Sequence, residues 1–231
     1  MKQIDIFCIS LSRAKDRRNF ISKEWIDKLQ FDIKFWDAYD RKEIENNNFL
    51  YPYDENLAIK KIGRKLSCGE LACSTSFALV MKYCIDNKIP EAVFMEDDVC
   101  PLIGRKSILF DMIKYSREEF PDTNIVLLHH SMINFKLGHD KRRDNIYFVK
   151  KDNFSLCKTT PWGNYLIYMN LNGIKEFYSE LVKMDAPADH PQRILAKNGS
   201  VCITNYPLAY HENRTTYIGN DIRKTHRIFI P

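Results

Sequence analysis

The sequence predicts an α/β fold, with a mainly parallel central sheet flanked by helices. Three observations predict it: a partly β-branched apolar segment at 4–11, a helical segment that starts near Ser67, and an apolar run at 92–95 bounded by turn signals. Short apolar runs of this kind are typical of buried strands, and strands that alternate with helices form parallel sheets. A chain of 231 residues can build one substantial core. We therefore expect a single domain over residues 1–231.

The charge and the cysteines of the chain limit the classes of function. A formal net charge of +5 suits an acidic substrate or an anionic membrane surface, and by itself it does not indicate nucleic acid. The seven cysteines are scattered and form no CxxC pair, which favours reduced thiols in a cytoplasmic protein. No apolar run is long enough to span a bilayer, and Asp5 makes the N-terminal run a poor signal peptide. We expect a cytoplasmic protein without a nucleic-acid partner, whose membrane contact is at most peripheral.

The first strand, at 4–11, leads into a basic loop and then into apolar residues at helical spacing. This order opens a nucleotide-binding α/β unit. No glycine-rich fingerprint follows the strand, so neither a dinucleotide-binding fold nor a P-loop NTPase is indicated. Arg13 and Arg17 are candidates for charge-assisted bonds to a diphosphate. The alternative is a solvated helix face, which is the interpretation we adopt for Arg18.

The second strand, at 33–36, ends in Asp37-Ala38-Tyr39-Asp40. In a parallel sheet this end lies beside the end of the first strand, where a nucleoside can bind. The following residues, 41–65, are polar and carry a basic patch. We expect them to form an irregular, mobile loop.

Ser67 and Glu70 form a capping box, which predicts a helix from Ser67 to about Asn87. Small residues near its start allow close approach by a backbone or a ligand. Pro90 then separates this helix from the apolar strand at 92–95.

Three consecutive acids, Glu96, Asp97 and Asp98, end that strand. Buried carboxylates are costly unless something positive pairs with them. Ligands of open α/β sheets bind outside the carboxyl ends of the strands, and hard oxygen ligands there suit a divalent cation that bridges substrate phosphates. The alternative is a solvated acidic turn that caps the next helix.

The C-terminal half continues the alternation of helices and strands. Tandem histidines end the strand at 125–128 and point opposite ways, so at most one of them faces a site. The predicted elements are a helix from Ser107 to about Tyr115, the strand at 125–128, an exposed loop or hairpin at 134–153, a turn and strand at 159–168, a helix over 174–182, a helix with Pro187 and Asp189 in its first turn, and closing strands at 201–203 and 206–210.

Four blocks in this order resemble glycosyltransferase family 25, which includes bacterial lipooligosaccharide galactosyltransferases. The blocks are ISLSRAKDRR at 9–18, FWDAYD at 35–40, LSCGELACSTSF at 66–77 and AVFMEDDV at 92–99. The chain departs from the family at Phe77, where a histidine is usual, and at Tyr39-Asp40, where Asp-Gly is frequent. The resemblance implies a GT-A-like nucleotide-sugar transferase domain, with a nucleotide-binding half at 1–100 and an acceptor-binding half at 101–231.

The resemblance also implies roles for individual residues. Asp98 and Glu96, completed by His211, would hold Mn²⁺ or Mg²⁺ on the diphosphate of a UDP-sugar. The catalytic candidates are Asp189 as the base on the acceptor hydroxyl, with Glu96 and Asp97 in support and His190 as a weaker alternative base. The residues expected to contact the UDP-sugar are Ser10, Leu11, Arg13, Arg17, Ala38, Tyr39, Asp40, Glu70, Asp97 and Trp162, the last by stacking on sugar or alternatively as part of the core.

The predicted function is metal-assisted transfer of a hexose, galactose by family resemblance, from a UDP-sugar to a saccharide acceptor in lipooligosaccharide or lipopolysaccharide biosynthesis, with inversion. A UDP-glucose-dependent enzyme of the same pathway and a non-catalytic protein that binds carbohydrate or a lipid surface are the alternatives. A sugar-1-phosphate nucleotidyltransferase usually has a glycine-rich N-terminal signature, which this chain lacks. The basic tail after His211 would cover the nucleotide or touch anionic lipid at the cytoplasmic face of the inner membrane.

Overall fold

A computed structural model describes residues 4–129, 147–158, 163 and 165–211 of the chain. The helices in these ranges are α1 (Lys15–Ile21), α2 (Arg41–Glu45), α3 (Glu55–Ile62), α4 (Cys68–Asp86), α5 (Ser107–Glu119), α6 (Leu171–Leu181) and α7 (His190–Lys197), with a π-helical segment at Ser22–Asp27 directly after α1. The strands are β1 (Asp5–Ser10), β2 (Ile33–Asp37), β3 (Glu91–Glu96), β4 (Val99–Pro101), β5 (Ile125–Leu127), β6 (Tyr147–Lys150), β7 (Phe154–Cys157), β8 (Leu166–Asn170), β9 (Val201–Thr204) and β10 (Ala209–His211).

The central sheet has the strand order β2-β1-β3-β8-β5-β9-β7-β6 among the described residues. β1 pairs in parallel with β2 and β3, and β5 pairs in parallel with β9. β8 runs antiparallel between β3 and β5, and β7 runs antiparallel to β9 and β6. Six of these eight strands therefore point the same way. The predicted α/β class, with a largely parallel sheet flanked by helices, is confirmed.

The sheet separates two apolar layers. Successive side chains of β3 point to opposite faces, so Phe94 packs with Phe7 and Phe77 on the α4 side, while Met95 packs with Trp25 on the other side. The β3 residues at 92–95 are completely buried, as expected for an apolar strand in a sheet covered on both faces. β3 is thus a rigid support for whatever follows its carboxyl end.

β4 and β10 form a separate antiparallel pair just beyond β3. His211 stands opposite Val99 in this pair, and Tyr210 stands opposite Cys100. The pairing brings the C-terminal end of the described chain back to the acidic segment. Because of this pairing, the backbone of His211 lies next to the acidic segment, although 113 positions of the chain separate it from Asp98.

The prediction of an irregular loop at 41–65 is wrong. Asp40 caps α2 by accepting from the Lys42 amide, and Asp54 caps α3 by accepting from the amides of the next turn. Gly63, at φ +78°, ends α3 in the left-handed conformation that glycine adopts readily. These caps are readable signals, and the polar composition of the segment concealed them.

Other boundaries are confirmed or shifted slightly. The capping box of Ser67 and Glu70 is present, and α4 ends at Asp86 as expected. The last helix begins later than predicted: Pro191, rather than Pro187, occupies the first turn of α7, and Asp189 is at the N-cap without a side-chain capping bond. A hairpin of β6 and β7 lies in the region predicted as a loop or hairpin, of which residues 130–146 lie outside the described ranges. None of the described helices is both long and apolar enough to cross a membrane.

Candidate active site

The acidic segment lies where the carboxyl ends of β1 and β3 meet. The two strands are parallel, with Ile9 beside Glu96, so that Ser10 at the end of β1 comes next to Asp97. Asp97 and Asp98 are only 7% and 6% exposed. They are therefore buried charges in need of partners, and the solvated acidic turn considered as the alternative is wrong.

Arg17 is the positive partner of this segment. Its guanidinium lies 2.6 Å from Asp97 Oδ1 and 3.2 Å from Asp98 Oδ2, and the residue is 8% exposed. Ser10 Oγ donates to the other oxygen of Asp97, Oδ2, at 2.6 Å. Burial raises the pKa of Asp97 even though the bonds from Ser10 and Arg17 act to lower it. Both carboxylate oxygens of Asp97 are thus bound by residues of the β1–α1 unit.

Arg13 and Asp40, both predicted to contact the nucleotide-sugar, are paired with each other. Arg13 Nε and a terminal guanidinium nitrogen donate to the two oxygens of Asp40 at 2.7 and 3.2 Å. This hydrogen bond lowers the pKa of the Asp40 carboxyl below its usual value. The Arg13 side chain is 43% exposed, so the pair lies at the surface beside the ends of β1 and β2.

Arg18 corrects the sequence interpretation, which assigned it to a solvated helix face. Its guanidinium donates to the Ser10 carbonyl at 2.8 Å, pairs with Asp37, and lies over the Phe35 ring at 5.2 Å. Arg18 therefore links the ends of β1 and β2.

The segment after β2 is attached to both β1 and α4. Ala38 donates its amide to the Ser10 carbonyl at 3.0 Å, and Tyr39 donates its amide to Ser76 Oγ at 2.8 Å. Ser76 in turn donates to the Ala72 carbonyl, and the neighbouring Phe77 is buried in the core. The structure thus brings together the predicted nucleoside contacts at the ends of these strands, namely Ser10, Leu11, Ala38, Tyr39 and Asp40. Phe77, at the position where the resemblance leads us to expect a histidine, is a core residue.

Asp189 reaches the site from the C-terminal half. Its Oδ2 accepts from the Gly163 amide at 2.8 Å, and Gln192 Nε2 donates to the Gly163 carbonyl at 3.1 Å. Gly163 has φ +100°, and a Cβ there would lie 2.4 Å from the Tyr165 ring, so glycine is required on both counts. Burial raises the pKa of the Asp189 carboxyl.

The two halves of the chain converge around Cys73 and Tyr165. Burial raises the pKa of the Cys73 thiol, and four carboxylates near enough to act on it raise it further: Glu96, Asp189, Glu70 and Asp98. Burial and three of the same groups raise the pKa of Tyr165. Glu96 also donates its amide to the Tyr165 carbonyl at 3.2 Å, and Gly163, two positions before Tyr165, donates to Asp189, so Glu96 and the predicted base both contact this short part of the chain. Sequence reasoning did not assign Cys73 or Tyr165 to the site, although Cys73 lies among the small residues at the start of α4.

Glu70, predicted to contact the UDP-sugar, is bound within the protein. Arg64 donates to both of its oxygens at 2.9 and 2.7 Å, and Ser67 donates its amide at 2.9 Å. Burial acts to raise the pKa of Glu70, and the bonds from Arg64 and Ser67 outweigh this effect and lower it. Glu70 fixes the start of α4 beside the site.

The histidine candidates are placed differently. His129 is fully buried, with Nδ1 3.0 Å from the Leu166 carbonyl oxygen and its ring against Tyr165 at 4.9 Å between centroids. His129 thus packs against Tyr165. His130, Trp162 and the basic tail at 212–231 lie outside the described residues. The backbone of His211 is beside Val99, the residue after Asp98.

The acids at the end of β3 are oxygen donors of the kind that a divalent cation prefers. In the ranges that the structure describes, no cluster of three or more His, Cys, Asp or Glu side chains is arranged to hold a metal ion. A Mg²⁺-type ion that keeps its waters and bridges phosphates takes one or two carboxylates from the protein. Asp98 and Glu96 are hard oxygen donors of this kind, whereas Asp97 uses both oxygens within the protein. The chemistry of Asp98 and Glu96 therefore fits Mn²⁺ or Mg²⁺.

Two solved structures are similar to this chain at low sequence identity. The structure titled "Crystal Structure of A197 from STIV" aligns with a TM-score of 0.46 and 11% identity, over 92% of this chain and 87% of that one. Mouse xyloside xylosyltransferase 1, in its apo form, aligns with a TM-score of 0.47 and 9% identity, over 91% and 97% of the two chains.

The sequence is similar to curated proteins of Haemophilus influenzae and to a family model. Lipooligosaccharide biosynthesis protein lex-1 is 24% identical over 237 residues, which cover 89% of this chain and 73% of that protein. Lipooligosaccharide biosynthesis protein lic2B is 28% identical over 138 residues, which cover 59% of this chain and 49% of that protein. The model described as Glycosyltransferase family 25 (LPS biosynthesis protein) matches residues 3–190. Because this match takes in well over half of the chain, the protein belongs to glycosyltransferase family 25.

Proposed function

We propose that this chain transfers a hexosyl group, galactosyl in the first instance, from a UDP-sugar to a hydroxyl of a saccharide acceptor in lipooligosaccharide or lipopolysaccharide biosynthesis. The observation that carries the proposal is that Gly163 and Tyr165 join the acidic segment to the predicted base in a family 25 chain: Glu96 donates its amide to the Tyr165 carbonyl at 3.2 Å, and Gly163 donates its amide to Asp189 at 2.8 Å. The names of the two Haemophilus relatives support the pathway.

In this proposal the donor is bound mainly by residues 1–100, and His211 is added from the C-terminal half. Asp98 and Glu96, together with His211, would hold Mn²⁺ or Mg²⁺, which as a Lewis acid offsets the charge that develops on the departing UDP. Ser10 and Arg17 keep Asp97, and with it the acidic segment, in position. The nucleoside lies against the ends of β1 and β2, where Arg13, paired with Asp40 in this structure, would donate to the phosphates once the donor is bound.

The acceptor half belongs to residues 101–231. Asp189 removes the proton from the acceptor hydroxyl as that oxygen attacks the anomeric carbon. Its raised pKa brings the carboxylate closer to the basicity that this task needs, and the Gly163 amide orients it through Oδ2. One direct displacement inverts the anomeric centre, so we propose that an α-linked UDP-hexose gives a β-linked product, with Trp162 stacking on a sugar ring.

We propose a cytoplasmic location, peripheral at the inner membrane. The net charge of +5 is complementary to anionic lipid. All seven cysteines are free thiols, which suits a reducing compartment.

A donor screen tests the proposed function. Purified protein with Mn²⁺ is incubated with UDP-galactose, UDP-glucose and related donors, and the release of UDP is measured. We expect slow hydrolysis of one donor that requires the cation, and a loss of about 100-fold or more in Asp98→Asn because a direct cation ligand is removed. Asp122→Asn, at an exposed aspartate remote from the acidic segment, is the control and keeps the full rate.

Two outcomes would contradict the proposal. If no donor is hydrolysed and UDP does not bind, the chain is a binding protein rather than a transferase. If Asp98→Asn hydrolyses the donor at the rate of the unmodified protein, the acidic segment is not the donor site.

A further inference from the structure

One face of α7 is basic. His190, Arg193 and Lys197 are spaced i, i+3 and i+7, which places them along one side of the helix. Lys61, in the last turn of α3, approaches this face, because its side chain forms an ion pair of 2.7 Å with Asp185, just ahead of α7. We call Lys61, His190, Arg193 and Lys197 the basic stripe.

The members of the basic stripe are close enough to act on one another. Burial lowers the pKa of the His190 imidazole, and three cations lower it further: Lys61, Arg193 and Lys197. Asp185 acts in the opposite direction and is itself paired with Lys61. Lys197 is exposed and forms no ion pair with a described residue. The lowered pKa leaves His190 neutral at pH 7 and Asp185 balances Lys61, so the positive charge that the stripe offers to a ligand comes chiefly from Lys197, with Arg193 beside it.

The stripe begins at the candidate base. Asp189 is at the N-cap of α7, and Arg193, one turn along the helix, acts to lower its pKa. A molecule whose hydroxyl reaches Asp189 therefore has the positive side chains of α7 within about one to two turns of the reacting group. A neutral saccharide gains no ionic attraction from such a surface, whereas phosphate and carboxylate groups form charge-assisted hydrogen bonds with Arg and Lys.

We propose that the basic stripe is an acceptor subsite that binds an anionic substituent, a phosphate or a carboxylate, on the saccharide that receives the hexose. This inference rests on the proposed function and makes it more specific. The acceptor is then an acidic oligosaccharide, held by the stripe on one side of the hydroxyl that reacts.

The test measures binding without turnover. The protein is saturated with UDP and Mn²⁺ so that the donor diphosphate site is filled, and glucose 6-phosphate or glucose is titrated by calorimetry. We expect glucose 6-phosphate to bind at least about tenfold more tightly than glucose at low salt, and this preference to fall as ionic strength rises. Lys197→Glu should weaken the binding of glucose 6-phosphate by about tenfold, since an attraction becomes a repulsion.

Lys175→Glu is the matched control, because Lys175 is an exposed lysine on the neighbouring helix α6 and lies outside the stripe. It should bind glucose 6-phosphate as the unmodified protein does. If glucose and its phosphate bind equally, or if both variants weaken the phosphate equally, the inference is wrong.

A second arm separates the subsite from a lipid contact. Sedimentation with phosphatidylglycerol vesicles is measured for the unmodified protein and Lys197→Glu. Loss of vesicle binding with unchanged affinity for glucose 6-phosphate would assign the stripe to the membrane surface and overturn the proposal. Donor hydrolysis is measured in a separate assay, and its absence contradicts the proposed function. The comparison of glucose with glucose 6-phosphate shows whether the stripe binds an anionic group.

Discussion

Adjacent acids in this site have different tasks because their surroundings differ. Asp97 has both oxygens bound by Ser10 and Arg17, so it joins the β3 end to the β1–α1 unit. Asp98 shares the same guanidinium at the longer distance of 3.2 Å. From the sequence we assign Asp98 to the cation and Asp97 to a supporting role, and the contacts of Asp97 with Ser10 and Arg17 show what holds it in place.

Arg17 is expected to be a large contributor to stability. Its removal leaves two buried carboxylates without their main positive partner, which typically costs about 3–5 kcal/mol when one member of a buried pair is lost. We therefore predict that Arg17→Gln lowers the free energy of unfolding by an amount in this range, measured by urea denaturation at pH 7.

Arg13→Gln is the comparison for Arg17→Gln. Its ion pair with Asp40 is 2.7 Å long but its side chain is 43% exposed, and exposed pairs contribute about 0–1 kcal/mol. Equal losses in the two variants would mean that Arg17 does not serve as the counter-ion of a buried acidic pair.

At the scale of single elements, the successful predictions have local causes. The capping box at Ser67 and the apolar strand β3 are each determined by residues close together in the sequence, and both are present. The short helices at 41–62 have equally local caps, Asp40, Asp54 and Gly63, and were missed because a polar segment was taken as a loop. The boundaries of α2 and α3 were therefore predictable from these three residues.

Glu70 makes the stability of α4 depend on pH. The pKa of this carboxyl is lowered in the folded protein, so its ionised form stabilises the fold at pH values above that of an ordinary glutamate, about 4.5. This contribution is lost as the pH falls through the folded pKa. We predict that Glu70→Gln lowers the free energy of unfolding by about 1–2 kcal/mol at pH 7, since it removes charged bonds to Arg64 and Ser67.

The pH series supplies the check on Glu70. The difference in stability between the unmodified protein and Glu70→Gln should shrink as the pH is lowered below about 4.5. Glu118→Gln, on the exposed face of α5, should show a loss below about 1 kcal/mol at every pH. A difference for Glu70→Gln that stays constant with pH would exclude the charge as the cause.

At the scale of the whole molecule, the site depends on contacts that no local pattern encodes. Arg17 and Asp97 are 80 residues apart, and Asp189 meets Gly163 across 26 residues. The sequence indicated that the acids need a positive partner and that Asp189 is a candidate base. It could not indicate which arginine pairs with the acids, because that depends on the parallel pairing of β1 and β3 and on the position of α1.

A substitution at Asp189 tests whether the C-terminal half acts on the acceptor while residues 1–100 bind most of the donor. We predict that Asp189→Asn lowers kcat for transfer by about 100-fold or more, the usual contribution of a general base. UDP with Mn²⁺ should bind within about twofold of the unmodified protein, because Asp189 is not among the proposed donor contacts, which lie mainly in residues 1–100. The amide can still accept from Gly163, so the local fold is kept.

The pH profile adds a second readout to this variant. Since burial raises the pKa of Asp189, the carboxylate becomes protonated, and kcat/KM falls, at a pH above the ordinary aspartate value of 3.8. This acid limb should be present in the unmodified protein and absent from the residual activity of Asp189→Asn. If the variant keeps both the rate and the limb, the base lies elsewhere; if it loses UDP binding as well, Asp189 serves the donor and the proposed split between residues 1–100 and 101–231 is wrong.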